Sequence, residues 1–230
     1  MKFENALIVG SGPGLSASLA RLFTANDIDV SLAARSTDKL TELCKETDAT
    51  AFQCDASDEM DVERLFKDLA KHGRLPDLVV YNASGYTRGP VIDLDLNAVR
   101  DTLKSTAFGA LVVAQQAARV MLDKGKGSLL FTGASAGVKG YAQSAPFAMG
   151  KFALRGLCQS LARELAPSNI HVAHFVIDGC IYQPARGAPF DDPEATLHPD
   201  AIAKTYLDIA KQDRSAWTWE VELRPFNENF

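Results

Sequence analysis

At 230 residues, 47% hydrophobic and 23% charged, the chain has the composition of one ordinary globular unit able to bury a sizeable core. Its formal net charge of −5 argues against nucleic acid and against an anionic membrane surface as partners, and no apolar run approaches the ~18 residues a membrane span needs. The N-terminus runs straight into a strand-like stretch without a signal-peptide pattern, and Cys44, Cys54, Cys158 and Cys180 match neither disulfide nor zinc spacing. A reduced, cytoplasmic chain with no metal site is therefore expected.

Taken in order, Ala6–Val9 reads as a first strand, ending at a glycine loop and followed by a helix from Leu15 to about Asn26. Ile28–Ala34 is a second strand, and Ser36 or Thr37 is placed to cap a helix through about Glu46. Thr50–Cys54 is a third strand, followed by a helix over Asp58–His72 with Val62, Leu65, Phe66 and Leu69 on one stripe. Asp77–Tyr81 is a fourth strand, ended by Asn82–Gly85. Asp95–Lys124 reads as one long helix bent near Gly109, and Ser128–Phe131 as a fifth strand. Ser144–Pro167 has Pro146 in its first turn and Leu154, Leu157, Leu161 and Leu165 at helical spacing. Ile170–Ile177 is a sixth strand, Asp200–Lys211 a helix and Trp217–Leu223 a last strand. Between them, Pro184–His198 is irregular and rich in Pro, Asp and Gly. It suggests a lid over the carboxyl edge of the sheet, or a plain surface loop.

Strands that are continuous apolar runs and alternate with helices predict a parallel sheet covered on both faces. The expected fold class is α/β: a single-domain, Rossmann-like, doubly wound parallel sheet of about seven strands. The domain is expected to span residues 1–230, with a lid-like segment near 183–200.

The loop G-S-G-P-G-L-S, Gly10–Ser16, lies between a strand and a helix, the context in which glycines let backbone approach a pyrophosphate. Gly10, Ser11, Gly12, Gly14 and Leu15 are the candidate phosphate-binding residues; Ser16 stands where a third glycine is expected. The second strand ends in Ala33 and Ala34, without the acid that holds a ribose 2′-hydroxyl, and Arg35 and Ser36 follow directly. A guanidinium beside a hydroxyl suits a 2′-phosphate, so NADP(H) is expected over NAD(H).

With this loop, the strand order and the helix K-F-A-L-R-G-L-C-Q-S-L-A-R-E-L-A-P, the chain resembles the short-chain dehydrogenase/reductase family over essentially its whole length. The resemblance implies that Asp55, with Ala56, contacts the adenine, and that Asn82, Ala83 and Ser84 stand in the family's N-A-G turn. Ile181, in Asp178-Gly179-Cys180-Ile181, would lie beside the nicotinamide amide. Lys151 matches the family lysine. The tyrosine position is Phe147, the serine position Ala134 and the asparagine position Thr106. Phenylalanine has no proton to give, and general acid catalysis is worth roughly 10²–10⁴ in rate. Cofactor binding is therefore expected to survive better than ordinary ketone chemistry. Lys151, Ser135 and Tyr182 are the candidate catalytic residues. Tyr86, Tyr141 and Asp178 are weighed beside them, the tyrosines more as pocket aromatics than as acids.

Two functions follow. One is an NADP(H)-dependent oxidoreductase with a non-standard proton donor, acting on a small carbonyl, alcohol or activated alkene. The other is a catalytically inactive NADP(H)-binding sensor or scaffold subunit. The family commonly assembles through its long helices, so a homodimer or homotetramer is expected. His171 and His174, three apart on a strand, face opposite ways and are not a metal pair.

Overall fold

The computed structural model describes residues 1–183 and 193–228. Seven strands form one parallel sheet: β1 (Asn5–Val9), β2 (Asp29–Ala34), β3 (Thr50–Gln53), β4 (Leu78–Tyr81), β5 (Gly127–Thr132), β6 (Ile170–Ile177) and the last strand, β9 (Glu220–Leu223). Their spatial order is β3-β2-β1-β4-β5-β6-β9. The central strands are buried along their whole length, as unbroken apolar runs require when helices cover both faces.

The helices divide between the faces. α1 (Leu15–Thr24), α2 (Thr41–Thr47) and α7 (Pro199–Ala210) pack on one face, around Leu19, Phe23, Leu40, Ile202 and Tyr206. α3 (Glu59–Lys71), α5 (Gly109–Lys124) and α6 (Ala145–Leu165) cover the other, around Val62, Leu65, Val113, Leu154 and Cys158. On α6, Leu154 and Leu165 are buried, while Leu157 and Leu161 pack on the core from its margin. Strand order reverses direction between β1 and β4, and their carboxyl ends open a crevice there.

Four expectations need correction. The long helix is two helices: α4 (Leu96–Leu103) and α5 are joined by a π-helical turn, Lys104–Phe108. There the Tyr81 hydroxyl donates to the Ser105 carbonyl at 2.5 Å, a tertiary tie that hydrophobic spacing does not encode. After β2 the chain makes a 3₁₀ turn over Asp38–Leu40 before α2, and its N-cap Thr37 makes no side-chain capping bond. The last strand starts at Glu220, because Arg214–Ala216 is a 3₁₀ turn held by Asp213. Finally, the segment before α7 is not irregular throughout. β7 (Cys180–Ile181) and β8 (Thr196–Leu197) pair in parallel as a separate two-stranded sheet. The middle of the expected lid, 184–192, lies outside the described residues.

Candidate active site

The crevice between β1 and β4 is lined by Gly10, Ser11, Arg35, Asp55, Ala56, Asn82, Ala83 and Ser84. These eight come from the ends of four strands and were all picked out from sequence. Gly10 has φ +83°, and a Cβ there would lie 2.4 Å from the Ala83 nitrogen, so only glycine lets the two loops meet. The Gly10 and Ser11 amides both donate to the Ala33 carbonyl, and the Ser11 hydroxyl donates to Ile8. Ser16 does more than fill the place of a glycine. Its hydroxyl donates to the Gly10 carbonyl and accepts from Asn82 Nδ2 at 2.8 Å, joining the two strand ends.

No side chain caps the N-terminus of α1 at Gly14, so its first amides are left for an anion. Gly12 has open space where a side chain would stand. Leu15 is buried and anchors the helix start. Asp55 Oδ1 accepts from the Ser57 amide and hydroxyl at 2.9 and 2.7 Å. Its other carboxylate oxygen has no partner among the described residues. Lys39, Cys54, Ser57 and Ser105 also line the crevice and were not foreseen. Lys39 had a signal, since it follows Arg35 by four residues into the next helical turn. Neither Arg35 nor Lys39 has an ion-pair partner among the described residues, and Ser36 is exposed beside them. The Cys54 thiol, pushed up to about 12 mainly by burial, stays protonated and is no nucleophile.

Lys151 is buried on α6. Its ammonium donates to the Thr132 carbonyl at 2.8 Å and sits 5.7 Å from the centre of the Phe147 ring. Among the described residues no carboxylate pairs with it. Burial pushes its pKa down to about 8. An ammonium has three donors, and among the described residues only one is taken. The 3₁₀ turn Ser135–Gly137 packs against α6 beside Lys151, and the half-buried Ser135 hydroxyl has no hydrogen-bond partner among the described residues.

Tyr182 is not brought to Lys151. Its amide donates to the Leu197 carbonyl, and its ring stacks on His198 at 6.0 Å. The β7–β8 pairing turns it into a separate cavity of about 910 Å³ walled by α7 and the chain after β9. This cavity is larger than the crevice that holds the glycine loop and shares none of the lining residues named for it. Ile181 packs on the core beside β8, and Gln183 stands over Gly14 at 3.6 Å from a would-be Cβ. Asp178 is buried and ion-paired to Lys139 and Arg224 at 3.6 and 3.3 Å, which makes it a structural anion. His174 and His171 are buried on opposite faces of β6. His174 bonds Glu220 at 3.0 Å, while His171 stacks on Trp217 and bonds the Thr218 carbonyl.

Does this crevice fit a nicotinamide dinucleotide? Backbone approaches closely at Gly10 and, among the described residues, the first helix amides of α1 and one Asp55 carboxylate oxygen have no side-chain partner; outside the crevice lining, the buried Lys151 ammonium has two donors unused among those residues. Each meets a different part of such a molecule, so the residues fit. The fold is that of a doubly wound α/β protein with a crevice at its topological switch point.

Comparison with known proteins names the class. The model of the short chain dehydrogenase family matches residues 4–185. A short chain aldehyde dehydrogenase from Euphorbia lathyris is 29% identical over 174 residues, 73% of this chain and 60% of the relative. The matched stretch thus spans about three-fifths of that relative's length. The crystal structure of a short-chain dehydrogenase from Rhodopseudomonas palustris is 31% identical, with a TM-score of 0.83 over 97% of this chain and 99% of that one. An alcohol dehydrogenase from Thermococcus sibiricus, solved with 5-hydroxy-NADP, shares the fold at 20% identity, with a TM-score of 0.85 over 98% of each chain. The chain belongs to the short-chain dehydrogenase family.

Proposed function

We propose that the protein is an NADP(H)-dependent oxidoreductase acting on a small carbonyl, alcohol or activated alkene, with a proton donor other than a tyrosine at position 147. The observation that carries this reading is Lys151. It is a buried ammonium without an anionic partner among the described residues and with two donors unused. Burying an ammonium costs several kcal/mol unless partners compensate, and the ribose hydroxyls of a nicotinamide dinucleotide would supply them. When bound, that cofactor supplies the hydride. Gly10, Ser11 and the α1 amides would hold its pyrophosphate, Asp55 its adenine and Lys151 its ribose. Ser135, with its hydroxyl unengaged among the described residues, would hydrogen-bond a substrate oxygen.

Arg35 and Lys39 at one end of the crevice, with Ala34 in place of an acid, support the 2′-phosphate. The Thermococcus sibiricus relative, solved with an NADP derivative, is consistent with this. NADPH is expected to bind more tightly than NADH in a fluorescence titration, and Arg35→Ala is expected to remove the difference. Equal affinities in the wild type would sink the assignment.

The second reading, an inactive NADP(H)-binding protein, is favoured by the phenyl ring of Phe147 against the lysine. NADPH oxidation on a panel of carbonyl compounds separates the two. No turnover by the wild type, with turnover gained in Phe147→Tyr/Ala134→Ser, would favour the inactive protein. An exposed apolar stripe of Phe108, Leu111, Met149 and Phe152 on α5, α6 and the π turn supports association of two copies through these helices. Sedimentation of the wild type as a dimer or tetramer, and of Phe108→Glu/Met149→Glu as a monomer, is the expected result.

A further inference from the structure

We propose that Tyr86 is the proton donor, presented beside Phe147 by a loop that Thr106 anchors; this rests on the oxidoreductase reading above. The described residues contain five tyrosines, and four are engaged elsewhere. Tyr81 and Tyr206 are fully buried, their hydroxyls committed to the Ser105 carbonyl and to Thr132 Oγ1, and burial raises both pKa values. Tyr182 faces the α7 cavity. Tyr141 lies alongside Lys139, whose ammonium pairs with Asp178. Only Tyr86 is continuous with the lysine. Its ring meets Phe147 edge-on at 5.1 Å, and Phe147 in turn meets the Lys151 ammonium at 5.7 Å.

The loop is held on both sides of Tyr86. Thr106 Oγ1, on the π turn, accepts from the Gly85 amide at 3.1 Å and bonds the Ser84 hydroxyl at 3.2 Å. Gly85 lies so close to α4 that a Cβ would fall 2.4 Å from Thr102 Cα. Beyond Tyr86, the Thr87 hydroxyl bonds that of Thr102 at 2.7 Å, and the Gly89 amide donates to the Gln143 carbonyl at 2.9 Å. Arg88 Nη1 donates to the Tyr86 hydroxyl at 3.4 Å, so the phenol accepts from a cation and keeps its own proton free to give. At 66% exposure the ring is open to water. Phe147 and Thr106 thereby acquire one joint task. The first is a shelf for the Tyr86 ring, the second the tie that fixes its loop.

The step balances. The carbonyl carbon gains a hydride, with its electron pair, from the reduced nicotinamide cofactor. The carbonyl π pair moves to oxygen, which takes the Tyr86 proton. The phenolate, beside the Arg88 guanidinium, regains a proton from water.

The test uses the full chain, NADPH and the same carbonyl panel, with kcat, the solvent deuterium isotope effect on kcat and the NADPH dissociation constant as readouts. Tyr86→Phe is expected to lower kcat by roughly 10²–10⁴, to abolish the isotope effect and to leave NADPH affinity unchanged. Arg88→Ala is expected to lower kcat by about tenfold, and Tyr141→Phe to leave it unchanged. If Tyr86→Phe retains kcat within about threefold while Tyr182→Phe or Ser135→Ala loses it, the proposal is overturned and the oxidoreductase reading stands. If the wild type binds NADPH but turns over nothing, that reading fails, and the assignment of Tyr86 fails with it.

Discussion

Lys151 has lost nearly all contact with water, yet its recorded compensation is one carbonyl and the face of a phenyl ring. Its pKa of about 8 lies below the ~10.4 of a free lysine, so between these values the unfolded chain holds more protons than the folded one. Stability without cofactor must then rise with pH across that window, and the burial cost is present in full below it. Lys151→Met removes the cost but leaves the Thr132 carbonyl unpaired. A net gain of about 1–2 kcal/mol at pH 7, or roughly 3–6 °C in melting temperature, is expected, shrinking toward pH 10.5. Thermal melts at the two pH values check this. A variant less stable than wild type at pH 7 would refute it. Gly10→Ala works the other way. It forces a Cβ into the Ala83 backbone at a positive φ, so destabilisation of about 1–3 kcal/mol together with loss of NADPH binding is expected in melts and titration.

At the scale of elements, Glu220 on the edge strand β9 fastens two neighbours. Its carboxylate takes two hydrogen bonds from Arg155 on α6, at 2.6 and 2.8 Å, and one from His174 on β6. The Arg155 guanidinium is the main reason its pKa lies below the usual carboxylate range, with His174 adding to it. That stabilisation is present above the unfolded carboxylate value near 4.3 and is lost as pH falls through the lowered one. Glu220→Gln should therefore melt about 3–8 °C below wild type at pH 7, and the gap should close as pH falls through the lowered value. Persistence of the gap in acid would show that packing, not charge, is responsible. Elements also mark the limit of what the residues alone foretell. The helices α1, α3, α6 and α7 are legible because an apolar stripe and a punctuating proline or glycine are local signals. The π turn is not: the Tyr81 hydroxyl that bonds its Ser105 carbonyl comes from β4, 24 residues away in the chain. Nor is the β7–β8 pair, whose two-residue strands carry no period to read.

Across the whole molecule, which residues gather in the crevice between β1 and β4 was legible, and the chemistry beside it was not. Gly10, Arg35, Asp55 and Asn82 each end a strand, and parallel strands in a doubly wound sheet bring their carboxyl ends together whatever the side chains do. Ser135, Tyr86 and Tyr182 sit on loops where several aromatics follow strand ends. Which ring turns toward Lys151 depends on contacts such as Tyr182 on His198 that no spacing encodes. No helix among the described residues is long and apolar enough to cross a membrane. Among those residues, too, no cluster of three or more His, Cys, Asp or Glu is placed to hold a metal ion.

The short parallel pair of β7 and β8 has one more consequence. Cys180 lies opposite Thr196, and Ile181 opposite Leu197, so two stretches sixteen residues apart in the chain are held side by side. The pair thus sets where α7 begins: with β8 held against β7, His198 and Pro199 follow directly, and the helix starts beside the strand pair that continues the end of β6.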